Sequence, residues 1–268
     1  MVILPLLTLL SSRAAGSNSS AKPIIGIYPQ VSASYLTAYK EWVAQAGAAS
    51  IVLPESFSGK QLEDIFLSTN GFLIPGGSAG LSTSARALVE RAIQANKQGD
   101  FYPVWGTCDG FEWLMEIFGG VGDIVPGFDS EYMPAKLIFT PAAKTSRLYA
   151  GANASLLSWL NTEAITYNAH HEGITPQSAA ANKGLRQSID VLSTSVDRKG
   201  KPFVAQFEAK EMPIYGNQFH PEKIEFVHNS EDKDIPRTPQ AIAAARYLAQ
   251  FFVSEAGKSN HTSVQPIH

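Results

Sequence analysis

The chain carries one cysteine in 268 residues, so no internal disulfide can staple it and the fold must rest on its core. It has no excess of basic charge either. Lys and Arg number 21 against 24 Asp and Glu, a net charge of −3, which leaves nothing to draw in phosphate backbones and argues against a nucleic-acid partner. Closely spaced Cys and His pairs, the usual donors of structural zinc, are missing, so no metal is expected. Long apolar runs are missing too. The one candidate, MVILPLLTLL at residues 1–10, is too short to span a bilayer, so no membrane partner is expected. Followed by SSRAAGSNSS, it reads as a secretory leader, residues 1–16, although it has no basic n-region; Ala14 or Gly16 would end it. Three glycosylation sequons, at Asn18, Asn153 and Asn260, agree with that route.

What is present is ordinary globular material, 44% hydrophobic and 17% charged. From Lys22 on, short apolar runs alternate with helical patterns. IIGIY (24–28), SIVLP (50–54), GFLIPGG (71–77) and FYPVW (101–105) read as strands buried on both faces. Between them, Leu36, Tyr39, Val43 and Ala46 share one helical face that Gly47 ends, and Leu88, Val89, Ala92 and Ile93 share another within Ser84–Gln98. This order predicts an α/β domain, a mostly parallel central sheet flanked by helices. After Gly119 the strand-like runs KLIFT, ITYNAH, IDVLSTSV, KPFVAQFEA and PIYGNQF crowd together. DRKG (197–200) marks a hairpin, so antiparallel strands are expected at the sheet margin. A last helix spans 239–256, and residues 257–268 read as a polar tail. No repeat or linker divides residues 22–256, which read as one domain.

The lone thiol lies in VWGTCDGFEWL, a strand, a tight turn and a helix, with Gly106 and Gly110 flanking Cys108. Such a turn lifts its central residue clear of the sheet at the carboxyl ends of the strands, where open α/β sheets bind ligands. The helix N-terminus behind it is expected to lower the thiol pKa. A cysteine nucleophile needs a base. Of the six histidines, His261 and His268 fall in the polar tail and His228 in a charged loop. His220, in GNQFHPEK, ends a strand-like run with Glu222 two positions on, so an extended backbone turns both to one side and the carboxylate can orient the ring. LIPGG (73–77) brings glycine backbone to the same sheet edge. The N–H groups of Gly77 and Asp109 are candidate oxyanion donors.

With these residues in hand, PIIGI, FLIPGG, YPVWGTCDGFEWL, QFHPEK and YLAQFFVSEAGKSN resemble γ-glutamyl hydrolase, a folate-processing cysteine peptidase family of the triad-type glutamine amidotransferase fold. The resemblance implies Cys108 as nucleophile, His220 as acid/base, Glu222 as its partner, and Gly77 and Asp109 as the oxyanion hole. It implies a substrate-facing histidine in NAHHEGITP, with His170 the better match and His171 adjacent, and a pocket role for Glu112. It implies a poly-γ-glutamyl substrate, no cofactor, and a secreted, lysosomal or vacuolar address; a homodimer would suit it. Lys223 and Arg86 are candidate cations for the anionic tail, each otherwise a solvated surface charge. The chain departs from the resemblance at Asp109, where an apolar residue is common. A carboxylate there would oppose a thiolate, so its side chain is expected to point away from the sulfur or toward a cation. A glutaminase feeding a synthase and an inactive binding protein of the same fold are the rival readings.

Overall fold

The computed structural model describes residues 22–261. The expected leader, Asn18 and His268 lie outside them. Ten strands are present among the described residues: β1 (Ile24–Ile27), β2 (Ala49–Val52), β3 (Gly71–Ile74), β4 (Val104–Thr107), β5 (Val125–Ala135), β6 (Ile138–Phe139), β7 (Thr166–Gly173), β8 (Ile189–Val196), β9 (Pro202–Ala209) and β10 (Ile214–Asn217). The helices are α1 (Ala33–Ala44), α2 (Gly59–Ser68), α3 (Thr83–Lys97), α4 (Asp109–Gly119), α5 (Ala154–Thr162), α6 (Pro176–Ala181), α7 (Lys183–Ser188), α8 (Lys223–Phe226) and α9 (Pro239–Ala256).

Eight strands form one sheet in the order β2-β1-β3-β4-β10-β9-β8-β6. The run from β2 to β10 is parallel and the rest is antiparallel, as the crowded second half of the sequence predicts. The hairpin at 197–200 joins β8 to β9, with Gly200 at φ +79° closing it onto the Asp197 carbonyl. One expectation changes. ITYNAH is not in the main sheet: β7 pairs with β5 as a separate two-stranded ribbon, and β5 carries Pro126, Gly127 and Pro134, which no buried-strand pattern contains.

Alternation along the central strands sorts side chains to two faces. Ile25, Ile27, Leu73, Trp105 and Tyr215 pack under α1, α5 and α9, whereas Phe72, Ile74, Val104 and Ile214 pack under α2, α3 and α4. The crossover helices are punctuated by their own sequence. Gly47 takes φ +98° just past α1, and Ser82 accepts the Ala85 N–H ahead of α3. Asn153 caps α5 by accepting the Leu156 N–H at 2.8 Å, and both Asn153 and Asn260 are exposed. No helix among the described residues is long and apolar enough to cross a membrane.

The tail is not wholly polar surface. The His261 ring is buried against Phe66 and Tyr102. Its Nδ1 faces the Phe66 and Thr69 carbonyls at 2.7 and 3.0 Å, and its Nε2 lies 3.0 Å from Asp100 Oδ1. Those partners lie on the end of α2, the turn after it and the loop before β4, far away along the chain, so no local pattern could announce the docking.

Candidate active site

Cys108 sits where the elbow is predicted, between β4 and α4, at φ +52° and ψ −109°. That backbone is unfavourable for any residue with a Cβ and is held by what surrounds it. Its flanking glycines are sterically required. A Cβ on Gly106 would fall 2.4 Å from the Gly110 carbonyl oxygen, and one on Gly110 would fall 2.2 Å from that of Ile74. The Cys108 N–H donates to Asn217 O and the Gly110 N–H to Pro75 O, tying the elbow to β10 and to the strand-end glycine segment.

His220 follows β10 and is pinned by its own N–H to the Tyr167 carbonyl on β7 at 2.7 Å. Its Nδ1 meets Glu222 Oε1 at 2.7 Å, and both side chains are buried. The pairing is the expected one, but the backbone is not the expected extended run: Glu222 is helical, at φ −65° and ψ −28°, and opens α8. Pro221 turns the chain, and the carboxylate reaches back to the ring. Tyr39 stands beside Glu222 and accepts the Gly76 N–H at 2.8 Å; burial and the nearby carboxylate hold its phenol well above the ordinary range.

Gly76 is where thiol and imidazole meet. A Cβ there would lie 2.6 Å from His220 Cε1 and 3.3 Å from Cys108 Cβ, so those two atoms are separated by no more than the sum, 5.9 Å. No hydrogen bond joins sulfur to imidazole. The polar contacts of Sγ are Ala169 O at 3.9 Å and Gln218 Nε2 at 4.0 Å. The expected lowering of the thiol pKa is overturned. Burial, and then Glu112 and Asp109, push it well above its ordinary value; the Asp109 N–H at the helix start and Lys223 pull in the other direction but do not prevail.

Two cavities meet at Cys108. One, about 190 Å³, includes Tyr35, Tyr39, His220, Glu222 and Lys223; the other, about 570 Å³, includes Asp109, Glu112, His170, His171 and Glu172. Gly77 lines both. Glu112 accepts from Gln218 Nε2 at 2.8 Å and is pushed up to about 8 by burial. His170 is buried, with Nδ1 2.6 Å from the Glu172 carbonyl and Nε2 unpartnered, and burial lowers it to about 4. Its donor must therefore be Nδ1–H, which leaves Nε2 as an acceptor. His171 is exposed, 3.2 Å from Glu131.

Asp109 meets no cation, and its carboxyl is among the charges that raise the thiol. Its Oδ2 accepts from the Ala79 N–H at 3.2 Å, and burial pushes its carboxyl up to about 7. Lys223 is not solvated: it is buried against Asp232 Oδ1 at 2.5 Å, with Tyr35 donating to the other carboxylate oxygen at 2.6 Å. Arg86 lies 3.8 Å from Glu90 and lines neither cavity. His228 is exposed, as its charged loop implies. Among the described residues no group of three or more His, Cys, Asp or Glu is arranged to hold a metal. Sequence reasoning missed Tyr39, Gln30, Gln218 and the Lys223–Asp232 pair. Only Tyr39 carried a signal, as a polar-tipped residue on the core face of α1.

Comparison with known proteins gives this geometry a family. The sequence profile described as "Glutamine amidotransferase class-I" matches residues 30–237. The γ-glutamyl hydrolase of Homo sapiens is 34% identical over 259 residues, covering 91% of this chain and 80% of that protein. That of Mus musculus is 32% identical, covering 91% and 81%. Among solved structures, a glutamine amidotransferase from Methylobacillus flagellatus shares the fold with a TM-score of 0.55 at 16% identity, covering 93% of this chain and 99% of its own. The chain belongs to the class-I glutamine amidotransferase family and, within it, is a homologue of the γ-glutamyl hydrolases.

Proposed function

We propose that the protein hydrolyses γ-glutamyl bonds of poly-γ-glutamyl substrates, folylpolyglutamates among them, through a thioester on Cys108. One observation carries this reading: a strained, glycine-flanked thiol and a carboxylate-held imidazole flank the same glycine, Gly76, and the thiol lines two cavities.

The raised thiol pKa makes the resting sulfur an S–H, so attack is base-assisted. The sulfur bonds to the γ-carbonyl carbon as His220 Nε2 takes its proton. Glu222 keeps the Nδ1 proton in place and balances the imidazolium. The N–H groups of Gly77 and Asp109 receive the oxyanion; that of Gly77 has no acceptor on the chain among the described residues, and that of Asp109 faces the Cys108 sulfur at rest. The imidazolium then gives its proton to the leaving amine as the C–N bond breaks. Water, deprotonated by the same imidazole, attacks the thioester, the C–S bond breaks and the sulfur regains its proton.

Because His220 must reach the leaving amine, the departing glutamate lies in the smaller cavity and the acyl part in the larger one, beside His170 and Glu112. Glu112 and Asp109, neutral in mildly acidic conditions, then oppose the developing sulfur charge least, which suits the acidic end of a secretory route.

The test is mass spectrometry of products from folyl-penta-γ-glutamate, with glutamine as a second substrate. The reading predicts shortened γ-glutamyl products from the wild type, none from Cys108→Ala that folds normally, and little release of ammonia from glutamine. Cleavage by folded Cys108→Ala would end it.

A further inference from the structure

The segment Pro75–Ala79 is held at both its ends, through the Pro75 carbonyl and the N–H and C=O groups of Gly76 and Ala79. Pro75 O accepts from the Gly110 N–H at 3.0 Å and from Gln30 Nε2 at 2.5 Å. The Gly76 N–H is taken by Tyr39, and Gly76 O accepts from Gln30 at 3.1 Å. The Ala79 N–H goes to Asp109 Oδ2 at 3.2 Å and Ala79 O accepts from Trp113 at 3.1 Å. Gln30 Nε2 also lies 3.4 Å from Asp109 Oδ2, which joins the two side chains into one brace. The brace closes around Gly77: a Cβ there would lie 3.2 Å from Asp109 Oδ2 and 3.3 Å from Gln30 Nε2. The Gly77 and Ser78 N–H groups are the donors this scaffold leaves free among the described residues, and of the two residues Gly77 alone lines both cavities at the thiol.

We infer that Asp109 is a positioning residue of the reaction: through Ala79 N–H and Gln30 its carboxyl fixes the direction of the Gly77 N–H that receives the oxyanion. This rests on the proposed function and adds to it a role for the Asp109 side chain, separate from that of its backbone. It also accounts for the position. A buried carboxyl beside a nucleophilic sulfur is electrostatically unfavourable, and Ala79 N–H and Gln30 are the donors that offset it. An aliphatic side chain in its place would leave the Ala79 N–H unmet and uncouple Gln30, still bonded to the Pro75 and Gly76 carbonyls, from the elbow.

The experiment compares wild type with Asp109→Leu, Asp109→Asn and Gln30→Leu in the full chain. Turnover of a γ-glutamyl peptide is measured together with inhibition by the matching γ-aldehyde, which adds the Cys108 sulfur across its C=O and places the new oxygen in the oxyanion position. A non-cleavable ketomethylene analogue reports ground-state binding. Asp109→Leu should lower kcat about 10- to 100-fold with KM within about threefold, the size of losing part of one oxyanion donor. It should weaken the aldehyde by the same factor and leave the ketomethylene ligand unchanged. Asp109→Asn, which keeps an acceptor for Ala79 N–H, should recover most of that loss. Gln30→Leu, which removes the bonds to the Pro75 and Gly76 carbonyls, should reproduce the loss, and the double variant should be less than additive. Asp109→Leu with unchanged kcat, or with aldehyde and ketomethylene weakened equally, overturns the brace alone. Cleavage by Cys108→Ala overturns the functional reading and the brace with it.

Discussion

The Asp109→Asn substitution makes a quantitative test of how the elbow is built. Burial pushes the Asp109 carboxyl from an ordinary 3.8 to about 7. Its folded-state value is thus above its unfolded one, so the stability it contributes is present in full below the unfolded value and is lost as pH rises through the folded one. Between pH 5 and 6 the folded chain holds a proton that the unfolded chain has released. One proton is worth about 1.4 kcal/mol per pH unit, and the curve flattens near 7, so the loss from pH 5 to 7 is about 2 kcal/mol. Glu112, at about 8 from 4.5, acts in the same direction, whereas His170, at about 4 from 6.5, acts oppositely over pH 4–6.5 because the folded ring stays neutral. Subtracting the variant from the wild type cancels the His170 contribution and most of that of Glu112, whose carboxyl is raised by burial first and by Asp109 only as a lesser cause. Urea unfolding followed by tryptophan fluorescence, at half-unit steps from pH 5 to 8, should show wild type losing ground to Asp109→Asn by about 2 kcal/mol. A difference that stays flat across that range refutes the argument.

Other expectations follow from single contacts. Glu222→Gln removes the charge that holds His220 Nδ1 and should lower kcat about a hundredfold or more with the fold unchanged by circular dichroism. Gly110→Ala drives a Cβ into the Ile74 carbonyl and should destabilise by about 2 kcal/mol or more and abolish turnover, whereas Gly80→Ala, with open space around it, should stay within about 0.5 kcal/mol by the same urea assay. His261→Ala unties the tail from Phe66, Thr69 and Asp100 and should lower Tm by several degrees, a loss of about 2 kcal/mol, with kcat/KM unchanged.

Much of this site is legible in local sequence because its geometry is local. A glycine on each side of Cys108 requires a close backbone approach, and His220 with Glu222 two residues on needs only one proline turn to pair. The parallel strands announce themselves as apolar runs since both faces are covered. What escapes is what distance along the chain conceals. β5 is a solvent-lapped ribbon with prolines, so it lacks the pattern of a buried strand. His261 and Lys223 sit in polar stretches, and only the folded chain supplies Asp100 and Asp232 to bury them. The direction of the thiol pKa is hidden from local sequence for the same reason. A helix N-terminus can be read from sequence, but the burial and the Glu112 carboxyl that outweigh it belong to the assembled site.

The central claim is covalent, and intact-mass spectrometry of the enzyme quenched in acid within milliseconds of mixing with a γ-glutamyl ester substrate tests it most directly. The account predicts one acyl adduct per chain, mapped to Cys108, sensitive to hydroxylamine, accumulating further in His220→Asn and missing from Cys108→Ala. Turnover of the same substrate by a chain that never carries an adduct on that sulfur, or an adduct mapped elsewhere, would contradict it.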